Sequence, residues 1–312
     1  MKCKMPLLAV LALILFSLIA SADIGFVHFD QAKYNLGDKL KVVNNISMAK
    51  DGAVLLRIAL KCPSSQIEYF VAPLSLTAGK LVEVPAPAFT LVSSMLGDCV
   101  VNSRLSSLEG ETLSEASSPS FIVGGDLGVS VETPNRELRP SEGLEVKAVV
   151  TASYAKFSTS EVTYYVDSKV AEKVLTNISS FTYKLKLFEN MSSGVHSLTV
   201  NVVDAFGNSG TNLSSFAVVA VPTKVEVSLV PADALPGDEL SISVLLYDQA
   251  GQLVKDDASV EIYNPGKDKI FADTLETGGS VAYKLAELAA PGTYAVKAYS
   301  AGLKTDSAFS VK

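Results

Sequence analysis

The sequence has no tryptophan, two histidines and three cysteines among 312 residues, and each shortage removes a class of function. Without tryptophan there is no indole platform on which sugar rings stack. With His28 and His196 alone, far apart in the chain, neither a histidine metal site nor a histidine-based catalytic set has its second member. His196 therefore reads as a hydrogen-bonded strand histidine. No Cys-x-x-Cys pair occurs, nor a His-Glu-x-x-His, a Gly-x-Ser-x-Gly elbow or a phosphate-binding glycine loop. Positive charge is also short: 26 Lys and Arg face 33 Asp and Glu, for a formal net charge of -7, and the basic residues are scattered rather than ranked in a stripe. That argues against a nucleic-acid partner. The expectation is a chain with no catalytic residue, no cofactor and no metal.

What is present begins at the N-terminus. Lys2 and Lys4 precede an apolar run, Met5 to Ile19, that ends in Ala20-Ser21-Ala22, the pattern of a secretory signal peptide cleaved after Ala22. An uncleaved membrane anchor is the competing reading, although the run is short for a span. Both readings export residue 23 onward, so the expected location is extracellular or the cell envelope, with membrane contact only through an uncleaved N-terminal segment. Cys3 stands before the apolar run, where a lipoprotein cysteine does not. No second apolar span follows, and the chain ends at Phe309-Ser310-Val311-Lys312 without a stop-transfer pattern. Loss of residues 1–22 removes Lys2, Lys4 and no acid, which takes the formal charge from -7 to -9. It leaves Cys62 and Cys99, an even count that in an exported chain points to one disulfide.

Three phrases recur in one order. YNLGDKLKV (34–42), LRPSEGLEV (138–146) and LPGDELSIS (235–243) bring Leu40, Leu144 and Leu240 into register. GDCVV (97–101), GVHSLTV (194–200) and GTYAVKA (292–298) align Cys99, His196 and Tyr294, and a closing phrase aligns Phe121, Phe216 and Phe309. Spacings stay between 93 and 104 residues, which predicts three homologous modules. Within the third, VEVSLV, LSISVLLY, SVEIY, SVAYKL, TYAVKAY and AFSV alternate at period two and are separated by Gly, Pro, Asn and Asp turns. Six or seven short strands in about 90 residues predict a β-sandwich. The only clearly helix-like patch is LAELAA (285–290), too short to stand alone. The predicted fold is all-β: a signal peptide (1–22) and three tandem Ig-like β-sandwich domains, 23–124, 125–221 and 222–312, divided at Gly124-Gly125 and Val221-Pro222-Thr223.

The third module, with PGDELSISV, the YDQAG hairpin (247–251), ASVEIYNPG and PGTYAVKAY, resembles macroglobulin-type and bacterial Ig-like domains of extracellular proteins. The second, with VNVVDAFGNSG (200–210), is similar to bacterial Ig-like modules whose last hairpin carries Asp-x-x-Gly-Asn. The first departs most, lacking that hairpin, so any special activity is expected there. The resemblance implies a tyrosine corner at Tyr294, with His196 and Cys99 as its equivalents. It also implies that Cys62, ending strand C, lies beside Cys99, opening strand F, so that the two can pair. That bridge differs from the B to F bridge of true immunoglobulin domains, whose core tryptophan is missing as well.

Other polar clusters have ordinary readings. Glu109 and Glu111 form a solvated acidic loop rather than a glycosidase pair. Asp204 to Asn208 and Gly124-Gly125-Asp126 carry oxygen ligands suited to calcium, but Asp and Asn are also what a tight turn requires. Sequons stand at Asn45, Asn177, Asn190 and Asn212, the last three expected between strands. Tyr164-Tyr165 is a weak candidate sugar platform. The functional expectation is a non-enzymatic secreted or cell-surface structural and adhesion protein, with a protein or glycan partner at the cell surface. The alternative is an extracellular binding or inhibitory module, glycan- or protein-binding, such as a macroglobulin-like fragment or a carbohydrate-binding accessory protein; a hydrolase hidden in the first module is a third reading.

Overall fold

Alternation at period two is what the long strands share. In Glu239–Asp248, Leu240, Ile242, Val244 and Leu246 are fully buried, while Ser241, Ser243, Leu245 and Tyr247 face outward. Each such buried side chain is worth about 1.5–3 kcal/mol of transfer free energy, so a one-residue slip would expose the whole row. The computed structural model describes residues 22–28, 31–134, 137–152 and 158–312. The signal-peptide reading rests on residues outside these, except Ala22, which already pairs with Met48 at the start of the first strand.

The first stretch forms β1 (Ala22–His28), β2 (Lys33–Asn35), β3 (Lys39–Leu40), β4 (Val43–Met48), β5 (Gly52–Cys62) and β6 (Ser65–Leu76). It continues with β7 (Val82–Pro85), β8 (Phe89–Thr90), β9 (Gly97–Ser106), β10 (Thr112–Ser117) and β11 (Phe121–Gly124). One sheet runs β1-β4-β7, the other β2-β11-β9-β5-β6 with β10 added on β9, and β3 pairs with β8. Ile46 of one sheet and Leu56, Ile58 and Val101 of the other meet in one core, each with no exposed surface.

The second stretch forms β12 (Leu127–Glu132), β13 (Glu137–Leu138), β14 (Gly143–Ala152), β15 (Ser160–Val166), β16 (Lys169–Thr176), β17 (Ser180–Lys186), β18 (Gly194–Asp204) and β19 (Ser209–Val218). The third forms β20 (Pro222–Val230), β21 (Asp233–Ala234), β22 (Glu239–Asp248), β23 (Asp257–Tyr263), β24 (Lys269–Glu276), β25 (Ser280–Lys284), β26 (Gly292–Ser300) and β27 (Leu303–Val311). Their topologies are the same: β12-β14-β17 over β13-β19-β18-β15-β16, and β20-β22-β25 over β21-β27-β26-β23-β24. Each stretch has its own core, drawn from residues 24–123, 127–218 and 225–311 in turn, and each is called a unit below. The fold is all-β: 67% of the described residues lie in strands, and no α-helix occurs among them.

The helix-like patch LAELAA, too short to stand alone, forms no helix: residues 285–290 are a loop closed by a turn in which the Ala289 amide donates to Ala286, and Leu285 is buried in the third core. One sequence expectation is corrected here. Asn212 lies inside β19 rather than between strands, because the preceding hairpin closes at Asn208 and the strand resumes at Ser209. In each unit the short second strand runs parallel to the last one: β2 with β11, β13 with β19 and β21 with β27.

Candidate functional site

The loops that join one unit to the next carry the most elaborate polar contacts. In the second unit, Asp204 folds the turn between β18 and β19 on itself. Its Oδ1 accepts from the amides of Phe206 and Asn208, both at 2.9 Å, and its Oδ2 accepts from Asn208 Nδ2 at 2.7 Å. The turn thereby presents the Asn208 amide to the first unit. Asn208 Nδ2 donates to Leu36 O at 2.9 Å and its Oδ1 accepts from Leu36 N at 3.0 Å, so the side chain pairs with Leu36 as a peptide group of a neighbouring strand would. Asn35 Nδ2 donates to Asp126 O at 2.8 Å, and Ser209 N donates to Gly125 O at 2.8 Å. Asn208 and Asn35 are both completely buried. Buried polar groups cost several kcal/mol unless paired, and here the pairing crosses the junction. Phe206 covers Gly37, whose φ of +87° places it in the left-handed region; a Cβ there would run into the ring.

The second junction uses the same phrase on a different loop. Between β22 and β23, Asp248 Oδ1 accepts from the amides of Ala250 and Gln252 at 2.9 and 2.8 Å, the bonding pattern of Asp204. Burial works against the charge of Asp248, but hydrogen bonds, first among them that of the Gln252 amide, hold its carboxyl below the usual range. Gln249 Nε2 donates to Met191 O at 2.8 Å and its Oε1 accepts from Val221 N at 2.8 Å, while Gln252 Oε1 accepts from Ser193 Oγ at 3.4 Å. At both junctions a loop reading Asp-x-x-Gly followed by a carboxamide docks on the unit before it.

The repeated upstream phrase is a turn with its own cap. Asp38 Oδ2 accepts from Asn35 N at 2.8 Å, Glu142 Oε2 from Arg139 N at 2.9 Å and Asp238 Oδ2 from Leu235 N at 2.7 Å. The third residue of each turn has a positive φ: Gly37 at 87°, Ser141 at 69° and Gly237 at 88°. The next residues of the phrase, Leu40, Leu144 and Leu240, are fully buried, as are the strand faces they open.

The aligned positions Cys99, His196 and Tyr294 face Phe121, Phe216 and Phe309 across the last hairpin of each unit. Tyr294 Oη donates to Ala290 O at 3.0 Å, a bond to the backbone four residues upstream. His196 Nε2 takes the same place against Ser192 O at 2.9 Å, and Nδ1 lies 2.6 Å from Asp167 Oδ2. Asp167 loses some solvation, which disfavours its charge. Hydrogen bonds from His196 and from the Ser197 amide and hydroxyl outweigh that and keep its carboxyl below the usual range. His196 is thus a hydrogen-bonded corner residue. Cys99 is joined to Cys62, with the Cα atoms 4.3 Å apart, where β5 ends beside the start of β9.

The remaining candidates are dispersed. Glu109 and Glu111 are exposed in the turn between β9 and β10. Tyr164 is buried in the second core and stacked on Tyr183, so it is no sugar platform; burial and then the Tyr183 hydroxyl push its own hydroxyl up to about 12. The carbonyl of Asp126 and the side chain of Asn208 are spent on the junction, and the carboxylate of Asp204 on its own turn. Among the described residues no cluster of three His, Cys, Asp or Glu is placed to hold a metal ion. Asn177 and Asn190 are exposed in loops, whereas Asn212 Nδ2 donates to Val129 O at 3.0 Å and Asn45 sits half-buried in β4. The side chain of His28 lies outside the described residues. What the sequence did not disclose is the docking role of Asn208 and Gln249.

No protein-family profile matches the sequence, and no curated protein matches it. Among solved structures the chain is similar to a tetra-tandem repeat from the extending region of a large adhesion protein, with 14% identity over 94% of this chain and 74% of that one and a TM-score of 0.38. It is also similar to a structure from a 1.5-MDa bacterial ice-binding adhesin, with 14% identity, coverage of 94% and 97% and a TM-score of 0.32. A third is Escherichia coli alpha-2-macroglobulin activated by porcine elastase, at 14% identity, coverage of 94% and 33% and a TM-score of 0.31.

Proposed function

We propose that the chain is an exported, non-enzymatic protein whose three β-sandwich domains, 23–124, 125–221 and 222–312, stack end to end as a stiff spacer at a cell surface. The observation that carries this reading is the burial of Asn208 against the Leu36 backbone, matched at the next junction by Gln249 against Met191 and Val221. A freely jointed chain has no use for a fully buried carboxamide at one junction and a half-buried one, bonded through both its nitrogen and its oxygen, at the next. Such links limit relative rotation, and a stiff array holds whatever sits at its far end away from its point of attachment. The signal-peptide pattern at residues 1–22 and the Cys62–Cys99 disulfide support export. Asn177 and Asn190, exposed in loops, are then the sequons open to a glycan, since Asn212 spends its Nδ2 on Val129. No helix among the described residues is long and apolar enough to cross a membrane.

Small-angle scattering of residues 23–312 tests the proposal. Three domains of this size in line give a maximum dimension on the order of 100 Å with a narrow distribution. A compact particle, or an ensemble of widely varying lengths, rules the spacer out.

A further inference from the structure

The outward face of the first unit holds an arginine pair that the fold itself does not explain. The chain has four arginines, Arg57, Arg104, Arg136 and Arg139, against 26 Lys and Arg together. Two of the four, Arg57 on β5 and Arg104 on β9, are direct register partners on the solvent side of the same sheet. Like charges directly opposite one another destabilise a sheet. Counting five residues on from Cys99, His196 and Tyr294 gives Arg104, Asn201 and Tyr299, whose partners are Arg57, Thr163 and Ser259. The other two units thus build the same strand pair with neutral residues.

The local charges leave one guanidinium open. Arg57 Nη1 is bonded to Glu68 Oε1 at 2.9 Å, and a bulge at Ile58/Ala59 in the β5–β6 register sets Glu68 beside Ala59 while Tyr69 packs at a tilt against Phe89. Arg104 has Glu115 as its partner on β10, but among the described residues it forms no ion pair. Both arginines border a depression of about 400 Å³ floored by Ala59 and edged by the amides of Gln66 and Asn102 and by the carboxylates of Glu68, which is paired with Arg57, and Glu115. Asn102 also borders a second depression, of about 460 Å³, which runs on past Val100 to Lys61, Asp98 and Ser117.

From this juxtaposition we propose that the β5–β9 face of the first unit binds an acidic oligosaccharide, with Arg57 and Arg104 clamping a sugar carboxylate. Guanidinium forks match the planar carboxylate and bind it in bidentate fashion. Gln66, the Nδ2 of Asn102 and the oxygen of Ser117, whose own hydroxyl donates to Asn102 Oδ1 at 2.9 Å, offer the neutral donors and acceptors that ring hydroxyls require, and Ala59 and Val100 leave the floor low enough for a ring to lie over it. The trough has no deep apolar pocket for side chains, which favours a sugar over an acidic peptide. The proposal takes from the surface reading only the compartment; it is tested on purified protein, and its failure leaves the spacer dimensions untouched.

The experiment is calorimetric titration of residues 23–312 with a galacturonate hexasaccharide, its neutral methyl ester and a hexa-aspartate peptide, in about 50 mM salt, where surface charges are incompletely screened. Saturable binding of the galacturonate alone is expected, weakened at least tenfold by Arg104→Gln and less by Arg104→Lys, which keeps the charge and loses the fork. Arg104→Gln breaks no ion pair and removes a like-charge neighbour, so its Tm must not fall. Absence of saturable binding at millimolar ligand, equal binding of the methyl ester, binding unaltered in Arg104→Gln, or preference for the peptide each overturns the proposal.

Discussion

Replacing Asn208 by alanine separates the first junction from the turn that builds it. The turn keeps the Phe206 and Asn208 amide bonds to Asp204, because these are backbone donors, but Leu36 loses both of its side-chain partners. The Leu36 amide has a second acceptor, Gly124 O at 3.2 Å, whereas the Leu36 carbonyl is left without its 2.9 Å donor. One orphaned carbonyl costs about 1–3 kcal/mol. That cost falls on opening of the junction and not on unfolding of either core, so it multiplies the open population by about 5- to 150-fold. The Ser209 amide, next to Asn208 and bonded to Gly125 O in the segment that links the two units, reports it: its hydrogen exchange accelerates by that factor while peptides from the third core exchange as before. Asn208→Asp is a stricter variant. A carboxylate at 208 still accepts from Leu36 N but meets Leu36 O and Asp204 Oδ2 with no proton to share, so at neutral pH it should loosen the junction more than alanine does and recover on acidification. Exchange at Ser209 unchanged in both variants would refute the reasoning that the carboxamide holds the units together.

Gly37→Ala forces a Cβ into the Phe206 ring at a φ of +87°, and a loss of about 1–3 kcal/mol is expected by denaturant titration; adding Phe206→Ala should restore only the part due to the clash. Removing the disulfide by Cys62→Ala with Cys99→Ala opens a closure of 37 residues and should lower first-unit stability by about 4 kcal/mol, visible as a shift of one unfolding transition and mimicked by a reductant. Tyr294→Phe deletes the bond to Ala290 O and should cost about 0.5–1.5 kcal/mol in the third unit alone. Asp167 has a folded-state carboxyl below its ordinary value, so its contribution is complete above that ordinary value and is lost as pH falls through the lower, folded one. Asp167→Asn should therefore flatten the acid limb of the second unit's melting profile; an unchanged limb would show that His196 is held by Ser192 alone.

The strand faces were legible because burial leaves a period. Leu40, Leu144 and Leu240, and Phe121, Phe216 and Phe309, fall at equivalent buried positions that the repeat already aligned. β24 was missed for the opposite reason. Lys269–Glu276 is an edge strand with most of its residues exposed on both faces, so nothing forces its residues to alternate. LAELAA has helix propensity but forms no helix, because propensity is weak against tertiary context: Leu285 is fixed in the third core and Pro291 follows. The junction chemistry was only half legible. Asp204 and Asp248 announce turns, and turn formation accounts for them fully. Asn208 meets Leu36 across 172 residues, and Arg57 meets Arg104 across a strand pairing that no local pattern encodes. Sequence patterns report a residue's own strand; they do not report which backbone its side chain will find.

The parallel pairing of the second and last strands gives each unit a mechanical character. The chain enters near one of these strands and leaves by the other, so tension applied through the termini pulls β2 against β11, β13 against β19 and β21 against β27 along their own length. Leu36 N to Gly124 O, Val219 N to Leu138 O and Lys312 N to Ala234 O are then loaded sideways and together, as a lap joint is, instead of parting one at a time as a zipper does. A protein stretched between a cell and whatever it holds would meet that load first at these short ladders, and the strands of the cores would be pulled apart only after they yield.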